Sequence, residues 1–401
     1  MEVGVSQRGL ATFPPSSGMQ CAAIGRIRSF LDSRTPSTPC LVVDLRSIRE
    51  RYLELTAAIP DAQLFYAVKA NPACEILRLL VELGAKFDVA SMREIELCLA
   101  EGAAPGDLSY GNTIKKSADI AAAYALGVRQ FTTDSLADLT NIAERAPGSS
   151  VFCRIMLADT GSVTPFGRKF GCVPEMAADL LGRAAGLGLA PAGVSFHVGS
   201  QQLNPAAWEA GIAAAAGIAA KLAKRGIGLP LVNVGGGFPG RYTRLPPPVS
   251  AYAAALRAAL ARHFGDAGSP MPGVVLEPGR FLVADAGLLR SEVVLVSRKS
   301  DRDEHRWVYV DVGRYNGLAE TENEYITYLL STPGRAGDTG PVILAGPTCD
   351  GDDVLYQRSV YHLPVGLRAG DHIDFLGTGA YTASYSSIAF NGFAPLPTHC
   401  I

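Results

Sequence analysis

From Cys40 onward, short apolar runs alternate with stretches whose apolar positions recur near the helical period. Leu41–Leu45, Leu64–Lys69, Phe87–Ala90, Leu108–Gly111, Gln130–Thr133, Val151–Met156, Gly193–Val198, Leu231–Val234 and Val274–Leu276 read as strands. Between them, Ser47–Ile59 carries Ile48, Tyr52, Leu53 and Leu55, Ser91–Glu101 carries Ile95, Leu97, Cys98 and Leu99, and Pro174–Leu187 carries Met176, Leu180 and Leu181. Strand followed by helix, repeated, predicts a parallel sheet, because parallel neighbours need a crossover connection. Eight or nine such units in about 235 residues match a (β/α)8 barrel in size. An open doubly wound sheet competes with it, but no GxGxxG follows the first strand.

After about Phe281 the rhythm changes. Gly287–Val296, Arg306–Val312, Pro341–Ala345, Asp353–Leu355 and Ile373–Leu376 are short β-rich runs, several of them parted by Gly and Pro, with a helical stretch expected only near Tyr325–Leu330. The fold class is therefore α/β. It comprises a loose tail over 1–21, a segment over 22–40 that joins the later domain as a strand or helix, a (β/α)8 barrel over 41–282, and a C-terminal antiparallel β-domain over 283–401. Met1 to Phe30 has no apolar core of a secretory leader. The Ala-rich stretch Ala206 to Ala220 is broken by Trp208, Glu209 and two glycines, and reads as a helix of a water-soluble protein.

Composition narrows the function. Of 401 residues, 48% are hydrophobic and 18% charged, enough for a large core and unlike a disordered chain. A formal net charge of -2 makes no electrostatic case for nucleic acid or an anionic membrane. The cysteines at 21, 40, 74, 98, 153, 172, 349 and 400 form no CxxC pair, and the histidines no HxxxH pair. Reduced thiols in a cytoplasm, with no metal site, are expected.

Six segments carry candidate chemistry. Phe65-Tyr66-Ala67-Val68-Lys69-Ala70-Asn71-Pro72 ends a strand on a lysine; a desolvated lysine there is a Schiff-base nucleophile, and a snorkelling lysine fits the segment equally well. In Val194-Ser195-Phe196-His197-Val198-Gly199-Ser200-Gln201, small residues beside His197 admit a flat ligand against the imidazole. Asn233-Val234-Gly235-Gly236-Gly237 exposes backbone N–H groups after a late strand, where barrels hold phosphate. Glu277-Pro278-Gly279-Arg280 pairs an acid for a ring nitrogen with a base for phosphate, or makes a structural ion pair. Gly346-Pro347-Thr348-Cys349-Asp350-Gly351-Asp352-Asp353 sets a proton donor beside a carboxylate, or is an acidic turn. Gly377-Thr378-Gly379-Ala380-Tyr381, with Phe390 beyond it, offers a hydroxyl to a phosphate oxygen or packs a sheet.

In this order the six segments resemble the fold-type III pyridoxal-phosphate decarboxylases of ornithine, lysine and diaminopimelate, from about Pro39 to Phe393. The resemblance implies an alanine-racemase-like barrel that binds pyridoxal 5'-phosphate, followed by a β-domain. It implies that Lys69 bonds the cofactor, His197 stacks on its ring and Glu277 keeps the ring nitrogen protonated. Ser200, Gly235, Gly236, Gly237, Gly279, Arg280 and Tyr381 match the phosphate-binding set, and Asp88 and Arg154 line the pocket. Cys349 matches the proton donor and Asp350 the acid facing the distal ammonium of a small amino-acid substrate. Both come from the partner subunit in that family, which implies a head-to-tail homodimer with shared active sites and a pairing of Lys169 with Asp353 across it.

Asp350, where diaminopimelate decarboxylases carry glutamate, implies a substrate ending in a plain amine, with ornithine and lysine first. The chain departs from the ornithine pattern where an aspartate would follow Tyr328, since Leu329 stands there. Glu320, Glu322 or Glu324 is expected to replace that acid, with Tyr315 and Phe390 beside the substrate. Arginine-like substrates, an oxygen-using oxidase, a racemase and a non-catalytic binder like the antizyme inhibitors are the competing readings. Against the racemase, no second-base tyrosine pattern occurs; against the binder, Lys69, His197, Glu277 and Cys349 are all present.

Overall fold

The computed structural model describes residues 18–158, 161–165, 168–265 and 271–401. The chain divides into two compact units, one built from residues up to Ser47, Arg241–Leu245 and Val283–Ile401, the other from Ile48–Gly240 and Pro246–Leu282. Residues 1–17 of the expected tail lie outside the described residues; Gly18–Arg34 is already helix.

In the second unit, eight strands close a parallel barrel. With β1 reserved for Cys40–Val43, they are β2 Ala62–Ala67, β3 Lys86–Val89, β4 Leu108–Tyr110, β5 Gln130–Thr133, β6 Ser150–Arg154, β7 Ala190–Ser195, β8 Leu231–Asn233 and β9 Gly273–Leu276. Each connection between consecutive strands carries a helix, as parallel pairing requires. Phe65 of β2 packs with Phe152 of β6, Ala192 of β7 and Val275 of β9. Strands on opposite walls meet only through the lumen, so this cluster is the barrel's filling. The helices turn an apolar stripe inward: Ile76, Leu77, Leu79 and Leu80 are buried in Cys74–Glu82. Ser91 and Ser135 begin their helices by accepting the N–H of Glu94 and Asp138, each at 3.3 Å, which keeps the loops after β3 and β5 short. The Ala-rich stretch Pro205–Ala223 is long and apolar enough by composition to cross a membrane; its helix, Glu209–Ala223, buries Ile212, Ala215, Ile218 and Leu222 as an outer helix of this barrel.

The first unit corrects the expectation for the first strand. β1, Cys40–Val43, pairs antiparallel with β10, Gly287–Ser297, and parallel with β16, Thr398–Cys400, and lies outside the barrel. An apolar run of four buried residues does not state which sheet buries it. The other strands are β11 Arg306–Val310, β12 Leu329–Ser331, β13 Thr339–Ala345, β14 Val354–Pro364 and β15 His372–Leu376. Pairing is antiparallel except between β11 and β13 and between β1 and β16. The segment before β1 is a helix that lays Ile27 and Leu31 on Cys40, Val42, Leu288 and Leu376. No helix forms at Tyr325–Leu330. A 3-10 segment over Ala319–Glu324 breaks at Asn323 and Glu324, whose φ are 52° and 55°, and β12 follows.

A buried ion pair ties neighbouring barrel units together. The fully enclosed Lys115 ammonium donates to the carbonyls of Asn112 and Thr132 and to the Asp138 carboxylate, each at 2.8 Å. Burial holds Lys115 below and Asp138 above their ordinary ranges, and each partner offsets part of that shift. Lys115→Met strands the carboxylate and is expected to cost about 3–5 kcal/mol, read as a lower urea midpoint. The double variant Lys115→Met/Asp138→Leu is expected to recover most of it; an unchanged midpoint in the single variant contradicts this account.

Candidate functional site

In a closed parallel barrel all strand C-termini open on one mouth. There the chain places Lys69 just after β2, Asp88 on β3, Arg154 at the end of β6, His197 after β7, Asn233 at the end of β8 and Glu277 after β9. Lys69 lies on a 3-10 turn, Val68–Ala70, and not in the strand. The turn is pinned by Ala67 N–H on the Pro278 carbonyl at 3.1 Å and by Tyr66 hydroxyl on the Asn71 carbonyl at 2.9 Å. Both readings left open for Lys69 meet the same geometry: its side chain is 47% exposed, because the turn lifts it into the mouth, where Nζ stands 3.4 Å from Asp88 Oδ2. A Cβ on Gly111 would overlap the Asp88 carboxylate, so a side chain there would push Asp88 aside.

Glu277 and His197 are tuned by enclosure. Burial, reinforced by the nearby Asp88 charge, pushes the Glu277 carboxyl up to about 7, while Asn233, donating to Oε1 at 2.6 Å, and the cations Lys69 and Arg154 oppose the shift. Burial and the charges of Arg154 and Lys69 hold His197 well below its ordinary value. Its Nδ1 accepts the Gly199 N–H at 3.0 Å, which leaves the proton of the neutral ring on Nε2. The Arg154 guanidinium lies 4.9 Å from the centre of the Phe170 ring.

The glycine run is a cradle that side chains would fill. A Cβ on Gly235 would overlap the Phe196 carbonyl oxygen, one on Gly236 the Glu277 carbonyl oxygen, and one on Gly237 the Gly199 carbonyl oxygen. Gly235 and Gly237 also hold φ of 71° and 95°. Arg280, almost fully buried, donates to Ser200 Oγ at 3.0 Å, and the Gly279 carbonyl accepts the Leu282 N–H to open the helix Arg280–Val283. A cavity of about 500 Å³ adjoins this group, lined by Arg154, Met156, Phe170, His197, Val198 and Gly199. A flat, phosphorylated aromatic aldehyde fits these residues. The cradle and Arg280 suit the phosphate, His197 the ring face, Glu277 a ring nitrogen and Lys69 the aldehyde.

A second group lies in the other unit. The Tyr315 ring stands 4.7 Å from Phe390, and burial, the Asp350 charge and a hydrogen bond to Asp350 raise the Tyr315 hydroxyl above its ordinary range. Exposed Cys349 is held by its N–H, which donates to Asn391 Oδ1 at 2.9 Å. A cavity of about 450 Å³ is lined by Arg314, Tyr315, Glu322, Asp352, Tyr385 and Ser387. Glu320 is absent from that lining, and its carbonyl takes the Ile326 N–H. Glu324 is engaged elsewhere, since its carboxylate accepts the N–H groups of Gln357, Arg358 and Ser359. Burial would raise its pKa, but these bonds and the Ser359 hydroxyl hold it below the ordinary range. Leu329 packs on the core formed by Ile27, Val42 and Leu376. Asp353 is turned inward as well, taking Arg314 N–H at 2.8 Å, Thr348 N–H at 3.1 Å and the Thr348 hydroxyl at 2.7 Å. Lys169 lies 5.0 Å from the Phe170 ring centre. Tyr381, with φ 55°, belongs to this unit, while Ser200, Gly235–Gly237 and Arg280 belong to the other.

Two contributors escaped the sequence reading. Asn233 orients Glu277 and also accepts the Gly235 N–H at 2.9 Å; its place before the glycines was the available signal. Glu94, whose carboxylate takes the Ala90 N–H at 2.6 Å, adds negative charge near Lys69 and Asp88. The Ser91-x-x-Glu94 capping pattern marked it as a helix start.

Residues 45–284 match the pyridoxal-binding domain of the pyridoxal-dependent decarboxylases, and the chain belongs to that family. It is accordingly a pyridoxal-phosphate enzyme of the carboxy-lyase class. The lysine/ornithine decarboxylase of Selenomonas ruminantium is 35% identical over 369 residues, covering 92% of this chain and 90% of that protein. The ornithine decarboxylase of Schizosaccharomyces pombe is 33% identical, covering 88% and 81%. Among solved structures, the lysine/ornithine decarboxylase of Vibrio vulnificus complexed with cadaverine superposes with a TM-score of 0.83 at 31% identity, over 94% of this chain and 98% of that one.

The position of Glu277 makes a pH prediction. Its folded carboxyl titrates near 7 against 4.5 ordinarily, so between these values the unfolded chain ionises first and the fold loses stability as pH rises, with no further loss above 7. In cofactor-free protein, Glu277→Gln is expected to remove a penalty on the order of 2–3 kcal/mol. Urea denaturation at pH 5 and pH 8 measures it: the gain over the parent must be larger at pH 8.

Proposed function

We propose that this chain decarboxylates a basic L-amino acid, ornithine or lysine, releasing CO2 and the corresponding diamine. The observation that carries the reading is the mouth cluster, in which Lys69, Asp88, His197, Asn233, Glu277 and the glycine cradle converge on one end of the barrel. The names of the relatives support the substrate class. Bound pyridoxal phosphate supplies an electron sink for the bond broken at Cα.

The chain's residues do the rest. Arg280, Ser200 and the N–H groups at Gly235–Gly237 would hold a phosphate. His197, neutral, lies flat against a ring without adding charge. Glu277 would keep a proton at a ring nitrogen, and Asp88 would pair with the Lys69 ammonium once a substrate amine has taken its place. Asp350 receives the substrate's distal ammonium between Tyr315 and Phe390, with Glu322, 3.5 Å from the Arg314 guanidinium, at the cavity wall and Glu320 outside its lining. Cys349 delivers a proton to Cα as the product forms. Exposure of Cys349, with half-buried Asp350 beside it on the same loop, supports their service to a partner's barrel in a homodimer. None of the eight cysteines is in a disulfide, which supports a cytoplasmic setting.

Lys69→Ala is expected to lower turnover by on the order of 10³-fold or more and to abolish the cofactor absorbance band that borohydride bleaches. Retained turnover overturns the assignment. CO2 release should be fastest with L-ornithine or L-lysine in a screen that includes L-arginine and diaminopimelate; release from one of the latter pair alone rejects the plain-amine reading. Cys349→Ala should divert product toward misprotonated species, and an unchanged product profile removes Cys349 from the proton delivery.

A further inference from the structure

Behind one wall of the barrel-mouth cavity two thiols are in contact, and the decarboxylation uses neither. Cys153 lies on β6, fully buried, and Cys172, 5% exposed, lies on the segment that runs beside it. Their sulfurs are 3.7 Å apart. The backbone holds them in register: Cys172 N–H donates to the Arg154 carbonyl at 3.0 Å, and Met156 N–H to the Cys172 carbonyl at 3.0 Å. A disulfide spans about 2.05 Å, so the sulfurs have only about 1.7 Å left to close.

We propose that Cys153 and Cys172 are a redox modification site, forming a reversible intramolecular disulfide under a hydroperoxide and thereby shifting the Arg154 and Phe170 wall of the cavity. Three features support it. Residues beside both thiols, Arg154 and Ile155 next to Cys153 and Phe170 and Val173 near Cys172, line the cavity, so the pair lies directly behind its wall. The hydrogen bond from Cys153 holds the Cys172 thiol below its ordinary range, while the same bond and burial raise Cys153, so the pair has a nucleophile and a resolving partner. The Arg154 carbonyl bonds the Cys172 N–H, and its guanidinium rests on Phe170, so movement of Cys172 carries both cavity groups with it.

The chemistry balances. Cys172 thiolate attacks the peroxide oxygen, the O–O bond breaks, and sulfenic acid and one water form. The Cys153 sulfur then attacks the sulfenic sulfur, the S–S bond forms and a second water leaves. Two thiols lose two electrons, and one hydrogen peroxide is reduced to two waters.

Trypsin cuts after Arg154 and Lys169, so the two cysteines fall in separate peptides, Ala146–Arg154 and Phe170–Arg183. Holoenzyme is treated with hydrogen peroxide, alkylated and mapped by mass spectrometry, with and without later dithiothreitol. The expected result is these two peptides joined, released again by dithiothreitol, and absent in Cys172→Ser and Cys153→Ser. Both peptides alkylated after peroxide, or Cys172 recovered as sulfinic acid without a linked pair, overturns the proposal. The effect on turnover rests on the proposed decarboxylation, whereas the map does not. Displacements near 1 Å cost up to about 100-fold, so a dithiothreitol-reversible loss on the order of tenfold is expected, and absent in Cys172→Ser. An equal reversible loss in that variant assigns the loss to another thiol, such as exposed Cys349, and rejects the coupling to the cavity.

Discussion

The hydrogen bonds that close the barrel between β2 and β9 run on past the strand ends, where the Ala67 N–H donates to the Pro278 carbonyl at 3.1 Å. That seam sets Lys69 and Glu277, distant in the chain, on adjoining turns of one mouth. The Glu277 N–H meanwhile donates to the Gly235 carbonyl at 2.9 Å, which locks the cradle to the same seam. A lysine, a buried acid and a glycine cradle can act together only at fixed separations. Here the backbone of a closed sheet fixes them, so side-chain packing has less to do.

Enclosure then sets the charges. Lys69, Arg154 and Arg280 face Asp88, Glu94 and Glu277 in a small volume. Water is partly excluded, so neighbouring charges act strongly. Glu277 answers by titrating near neutrality and His197 by staying neutral. The two shifts have opposite signs and one cause, since burial disfavours whichever form is charged.

The other unit separates carboxylates that build from carboxylates that are offered. Asp374 is fully buried and takes Arg290 in two hydrogen bonds, 2.8 and 3.1 Å, from the residue paired with it across β10 and β15. Asp353 and Glu324 likewise spend their oxygens on backbone N–H groups, and each fixes a loop on which other residues stand. Asp350 takes one backbone N–H, from Asp352 at 2.8 Å, and Glu322 lies 3.5 Å from Arg314, yet both retain surface toward solvent or a cavity. A carboxylate saturated by its own loop has little affinity left for an ammonium, which is why burial sorts these acids by role better than their residue type does.

Much of this architecture was legible in the chain itself. The alternation of apolar runs with helical spacing marked all eight barrel strands, because each buried strand and its crossover helix leave a local pattern. Lys69, His197, the glycines and Glu277 were legible for a related reason: each ends or follows such a run. Other facts are tertiary. Cys40–Val43 reads like any buried strand, and only its pairing with β10 and β16 excludes it from the barrel. Whether Glu320, Glu322 or Glu324 faces a cavity depends on positive φ at Asn323 and Glu324 and on the strand edge that claims Glu324. The contact between Cys153 and Cys172 arises because a loop returns beside β6. Local periodicity determines which elements form and which residues stand at their ends; only the folded chain decides which distant groups meet, since burial and hydrogen-bond partners are properties of neighbours that sequence order does not contain.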